Sequence, residues 1–212
     1  MAKSKQCVST NMTGLKRQFF ESAVELFADK GYGNVSLHEV AEAVGKKAGN
    51  LNYYFRTKDD ILALIYSFFE SYYFSKLPSA ETMAGTEQNN LQQFINWQES
   101  YFQDVFLDPL IQKILTIIIT ESRHDERAER LLEQTVLGTP RKYLSVFLPA
   151  LVKSKVIEPL DVEGFIATVT AFDYFYAACC RIPSINIEQW NKRHRAVTDA
   201  MIKLIRGDSH DN

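Results

Sequence analysis

The twenty residues from Ser36 to Phe55, SLHEVAEAVGKKAGNLNYYF, admit few folds. Leu37, Val40, Ala41 and Val44 recur at i, i+3, i+4 and i+7, which is one apolar face of a helix. Ser36 with Glu39 three residues on has the spacing of a capping box, so this helix has a defined start. Gly45 follows the last apolar position and supplies the backbone conformation that residues with a Cβ adopt only at a cost. A second short helix then offers Leu51 and Phe55 to a core and leaves Ala48, Asn50, Asn52 and Tyr53 pointing elsewhere. Close helix contact at small Ala41, a sharp bend at Gly45 and an apolar anchor at Leu51 are what a helix-turn-helix requires.

The rest of the chain is helical by pattern, with no strand-like alternation, no repeats and no low-complexity tract. The spacing predicts a first helix over about Gly14 to Lys30, with Phe19, Phe20, Ala23, Val24 and Phe27 inward and Gly31 as its stop. Thr57 opens a fourth helix, with Asp60 as its capping acid. Pro78 to Gln88 is the best loop. Helices are then expected over Asn90–Phe106, over Leu110–Glu121 behind a first-turn Pro109, and over Leu131–Val136 after the polar stretch SRHDERAER. Pro140 is expected to start another, running to about Lys155, followed by Asp161–Arg181 and Asn186–Arg206. The reading is an all-α chain of about nine helices, ±2–4 residues at each boundary. Residues 1–57 form a three-helix head, and 58–212 a helical body.

Charge separates these two parts. From Met1 to Lys58 nine basic residues stand against five acidic ones, so a chain of net charge −2 has a head of +4 and a remainder of −6. A basic head on an acidic body suits a polyanion-binding module attached to something with another task. Lys46, Lys47, Arg56 and Lys58 bracket the second helix of the motif. No apolar run approaches the ~20 residues that span a bilayer, and the polar N-terminus has no secretory-signal pattern, so a cytoplasmic protein is expected. Cys7, Cys179 and Cys180 make no disulfide framework, and the adjacent pair reads as core packing. His38, His124, His194 and His210 have no metal-ligand spacing. With no nucleophile–base motif and no glycine-rich phosphate loop, no catalytic residue, metal or cofactor is expected.

From Phe20 to Leu62 the chain resembles the N-terminal domain of the TetR family of bacterial transcriptional regulators. Ala23, Leu26-Phe27, Gly31-Tyr32, Ser36-Leu37, Val40-Ala41, Gly45, Gly49, Leu51, Tyr54-Phe55 and Lys58 carry the resemblance, over roughly a quarter of the chain. The chain departs from the family pattern at Asn52, where an aromatic is usual, and at Lys47, where a hydroxyl residue is common. Asn52 is expected to read a base edge differently from a tyrosine.

In a helix-turn-helix the second helix enters the major groove and its exposed N-terminal residues touch bases. Here those are Lys47, Ala48, Asn50, Asn52 and Tyr53, with Gly49 among them. Asparagine suits a bidentate contact to adenine and alanine suits the thymine methyl, so some A·T preference is expected. Lys46, Tyr54 and Lys58 are expected to contact phosphates, and Ser36 to donate to one besides capping. Tyr53, Tyr54 and Phe55 are consecutive and cannot all face inward; Phe55 is taken as core and at least one tyrosine as exposed.

The resemblance implies a body that binds a small molecule and pairs two chains. Aromatic density favours an apolar or aromatic effector, with Trp97, Tyr101, Phe102, Glu121, His124, Phe172, Asp173 and Tyr176 as candidate lining residues. Residue by residue, ordinary core packing is the favoured reading of each aromatic. Phe165, Val169, Phe172 and Tyr176, then Trp190, Val197, Met201 and Leu204, form stripes on the last two helices and are the candidate homodimer interface. The implied function is a ligand-responsive homodimeric repressor on palindromic double-stranded DNA. The alternative keeps the DNA-reading head on a constitutive activator or architectural factor.

Overall fold

In a computed structural model, the described residues are Met12, 14–77, 108–153, Lys155, 161–179 and seven positions between Glu188 and Lys203. They contain no strand. The elements are α1 (Gly14–Lys30), α2 (Leu37–Ala43), α3 (Ala48–Asn52), α4 (Lys58–Ser75), α5 (Pro109–Glu121), α6 (Glu126–Leu132), α7 (Gly138–Lys153) and α8 (Val162–Cys179). The expected helix over Asn90–Phe106 lies outside the described residues, and only seven positions of Asn186–Arg206 lie within them, all helical. No described helix is long and apolar enough to cross a membrane.

The chain divides into two compact units, one of Met1–Leu77 with Gln103–Glu133, the other of Pro78–Phe102 with Gln134–Asn212. In the first, α1 buries Phe19, Phe20, Ala23, Val24 and Phe27, the five positions its periodicity marks. Against them stand Val40 and Ala41 of α2, Leu51 of α3, Phe55, and Ile61, Leu62, Ile65 and Phe69 of α4. Phe20 meets Phe68 of α4 with ring centroids 5.2 Å apart. Burying such side chains contributes about 1.5–3 kcal/mol each and drives the packing. Helix α5 packs on α1 and α4 through Ile111, Ile114, Leu115, Ile117 and Ile118, and Lys113 pairs with Glu25 of α1.

The starts of α5 and α6 are chemically marked. Pro109 occupies the first turn of α5, and the Asp108 carboxylate accepts from the N–H groups of Leu110 and Ile111 at 2.9 and 3.0 Å. Helix α6 begins earlier than the polar stretch suggests. Asp125 caps it by accepting from the N–H of Arg127 at 2.9 Å, and SRHDERAER supplies its solvated face, with Ala128, Leu131 and Leu132 turned inward.

Residues Glu133–Leu137 form a π-helical turn that runs directly into α7. Pro140 lies in the first turn of α7, two residues after its start, close to where the sequence places a helix start. It has no N–H for the carbonyl of Val136, which suits the widened turn just upstream. In the second unit α7 packs on α8, burying Leu144, Leu148, Leu151 and Ile166, and Arg141 pairs with Glu163 at 3.0 Å.

Candidate nucleic-acid interface

The bend between α2 and α3 is a Schellman turn. The N–H of Gly45 donates to the carbonyl of Glu42 at 2.8 Å, and the N–H of Lys46 to the carbonyl of Ala41 at 2.9 Å. Gly45 sits at φ +68°, where any residue with a Cβ is strained. Ahead of it the Ser36–Glu39 capping box closes in both directions. The Glu39 N–H donates to Ser36 Oγ at 3.2 Å, and the Ser36 N–H donates to Glu39 Oε2 at 2.8 Å. These contacts hold α2 short and fix where α3 begins.

Helix α3 is anchored by one side and open on the other. Leu51 is fully buried and Phe55 nearly so, while Lys46, Lys47, Gly49, Asn50, Asn52 and Tyr53 are exposed and Ala48 is half-buried. Tyr53 is 84% exposed, and its ring meets that of Tyr54 edge-on at 4.9 Å. Tyr54 is 38% exposed and leans on Phe19 at 6.1 Å. The open face therefore presents two cations, two side-chain amides and an aromatic ring, with no acidic residue from Gly45 to Lys58. Neither Lys46 nor Lys47 forms an ion pair among the described residues. Side chains of this kind suit phosphate oxygens and base edges.

Two expected contacts are placed differently. Ser36 was expected to donate to a phosphate, but its hydroxyl donates to Glu39 Oε2 at 2.9 Å, and a serine hydroxyl has one proton to give. Glu39 is itself tied to Lys30 at 3.1 Å. Donation from the Ser36 backbone, then from Lys30 and the Ser36 hydroxyl, holds the Glu39 carboxyl down at about 2. Lys58 was expected on a phosphate as well. Its Nζ instead donates to the carbonyls of Tyr32 at 2.6 Å and Val35 at 2.8 Å, with the Tyr32 ring centroid at 4.3 Å.

Thr57 and Asp60 form a second capping box at the start of α4, and the Asp60 carboxylate accepts from the N–H groups of Arg56 and Thr57 at 2.9 and 2.8 Å. The Asp60 carboxyl is held below its usual range by the Thr57 backbone first.

Residues 19–65 match the family described as bacterial regulatory proteins, tetR family. These residues form a TetR-type N-terminal domain. The match spans the whole of α2 and α3 and most of α1, so the exposed face of α3 is that of a TetR-type DNA-binding helix-turn-helix. The probable HTH-type transcriptional regulator YttP of Bacillus subtilis (strain 168) is 24% identical over 180 residues, covering 76% of this chain and 86% of that protein. The TetR-family regulator PfmR from Thermus thermophilus has the same fold, with a TM-score of 0.54 at 19% identity over 88% of this chain and 97% of that one. A HlyIIR mutant matches at TM-score 0.54 and 16% identity, over 90% of this chain and 96% of that one.

Outside this TetR-type head, the expected site residues are seen only in part. Glu121 is half-buried at the end of α5, and His124 is exposed in the turn before α6. In the second unit Phe165 and Phe172 are half-buried on α8, and Val197 is half-buried. Trp97, Tyr101, Phe102, Trp190, Met201 and Leu204, with the side chains of Val169, Asp173 and Tyr176, lie outside the described residues. Sequence reasoning missed Arg127, whose guanidinium bonds to both Asp59 and Asp125. Its only sequence signal is a place in a charged run.

Proposed function

We propose that this chain is a cytoplasmic, homodimeric, ligand-responsive repressor of the TetR family. Residues 1–57 read double-stranded DNA, and residues 58–212 bind an effector and pair the two chains. The observation that carries the DNA-reading assignment is the division of α3, with Leu51 and Phe55 inward and Lys47, Asn50, Asn52 and Tyr53 outward. In this reading Asn50, Asn52, Ala48 and Tyr53 meet bases, Gly49 allows close approach, and Lys46, Lys47 and Tyr54 meet phosphates. Two-fold pairing through the stripes of Phe165, Val169, Phe172, Tyr176, Trp190, Val197, Met201 and Leu204 presents two heads to a palindromic operator. The effector is an apolar or aromatic small molecule facing Trp97, Tyr101, Phe102, Phe172, Asp173 and Tyr176. It weakens operator binding by favouring a chain conformation that binds DNA less tightly.

The test is selection of duplexes from a random pool by the full chain, with the mass of the complex measured in parallel. A palindromic consensus bound by two chains is expected. Retention of DNA without any sequence enrichment would sink the reading. The effector assignment is tested by screening aromatic compounds for release of the selected duplex.

A further inference from the structure

We propose that Lys58 governs DNA affinity as a positioning residue, by holding the turn that launches α2, and not by contacting a phosphate. The proposal rests on the DNA-reading assignment and concerns which part of the head makes that reading possible.

Between α1 and α2 the backbone makes a tight 3-10 turn over Tyr32–Asn34, entered through Gly31 at φ +83°. This turn aims the carbonyl oxygens of Tyr32, Gly33 and Val35 toward one point, where Lys58 Nζ lies 2.6, 3.5 and 2.8 Å from them. The ring of Tyr32 covers the ammonium at 4.3 Å from its centroid. An ammonium has three donors and no acceptor. Two are used at short distance, and a third carbonyl and an aromatic face, which itself attracts a cation, stand beside the half-buried ammonium.

The cage is tied to the core. Tyr32 meets Phe27 edge-on with ring centroids 5.2 Å apart, and Phe27 is buried in α1. Asn34 Nδ2 donates to the carbonyl of Lys30 at 2.8 Å, which closes the turn from its other side. Ser36, the cap of α2, follows Val35 directly. Without the cation, three converging carbonyl dipoles would repel one another and the turn would open. The N-cap would then shift, and the bend and α3 with it. The negative ends of those dipoles would also be left bare on a surface meant to approach DNA. Lysine suits the site because a compact ammonium can enter a carbonyl cluster, whereas the planar fork of arginine matches carboxylates and phosphates.

The test compares the full-length chain with its Lys58→Met, Lys58→Arg and Lys46→Met variants on the selected operator duplex, over a range of salt concentrations. Each lost phosphate contact lowers the slope of log K against log salt by about 0.9. Lys46→Met is expected to show that loss. Lys58→Met is expected to bind the operator about tenfold or more weakly, since charge-assisted hydrogen bonds are lost, with the slope unchanged. Lys58→Arg is expected to bind as weakly as Lys58→Met. A lower slope in Lys58→Met, or wild-type affinity in Lys58→Arg, would overturn the proposal.

A residue important only for stability would leave the affinity of the folded protein intact, so binding is read well below the melting temperature of each variant. Amide exchange without DNA supplies an independent check, including for a wild type that selects no sequence, a result that sinks the DNA reading alone. The Asn34, Val35 and Ser36 amides should exchange faster in Lys58→Met than in the wild type, relative to those of α1. Unchanged exchange there overturns the proposal. Should Lys58→Met not fold, Lys58→Arg decides by the same two readouts.

Discussion

Arg127 Nη1 and Nη2 donate to the two carboxylate oxygens of Asp59 at 3.0 and 2.6 Å, tying the start of α6 to the first turn of α4. The same guanidinium reaches Asp125, the cap of α6, through Nη2 at 2.7 Å and Nε at 3.0 Å. Its Cζ also lies 5.6 Å from the Tyr66 ring centroid. Tyr66 donates to Asp125 Oδ2 at 3.3 Å, and burial, followed by the Asp125 charge, pushes its phenol above the ordinary range. Hydrogen bonds from Arg127 in turn hold the Asp125 carboxyl below its usual range. Asp59 adjoins Lys58, so consecutive residues of α4 hold the turn before α2 and the cap of α6.

A double-mutant cycle on Arg127→Ala and Asp59→Ala should therefore show coupling. Both groups reach solvent, so a value of about 0.5–1 kcal/mol in chemical denaturation is expected, shrinking with added salt. Additive losses would show that the bidentate contact contributes nothing to the fold.

Tyr53→Ala should separate reading from folding. With the ring 84% exposed, stability should stay within about 0.5 kcal/mol of wild type. Specific operator affinity should fall about tenfold to hundredfold while non-specific binding changes little. Tyr54→Ala should cost stability as well, because its ring rests on Phe19. Thermal melts and competition binding distinguish the two variants.

At Gly45 a Cβ would meet nothing within 4 Å, so the cost of substitution is that of the backbone conformation alone. Gly45→Ala is expected to destabilise the chain by about 1–2 kcal/mol, and Gly45→Asn by less, since asparagine tolerates the left-handed region. Equal losses for the two in denaturant titrations would contradict this account of the bend.

The Ser36–Glu39 capping box should carry a pH signature. Glu39 is held down at about 2 in the folded chain against an ordinary 4.5. A lowered folded value means stability that is present in full above about pH 4.5 and lost as pH falls toward 2. The melting-temperature gap between wild type and Glu39→Gln should be constant near neutrality and close on acidification through that window. A gap that persists at pH 2 would assign the effect to shape and not to charge.

The helical head was legible because its signals are local. The buried face of α1, both capping boxes, the Gly31 and Gly45 stops and the inward Leu51 and Phe55 all follow from residues a few positions apart. The start of α6 was missed because a charged run resembles a loop unless the Asp125 cap is weighed. The continuous passage through Glu133–Leu137 was missed because Pro140 also suits a first turn.

Local spacing thus specified which face of α3 is open and which is core, since helix period and turn chemistry act within about four residues. It could not specify which polar groups on that surface already have partners. Lys58 finds its carbonyls 23 and 26 residues away, and Arg127 finds Asp59 across 68. Those meetings exist only once α4 has packed against α1 and α6. They divide the cations near α3 into Lys46 and Lys47, which face solvent, and Lys58, which is turned into the protein.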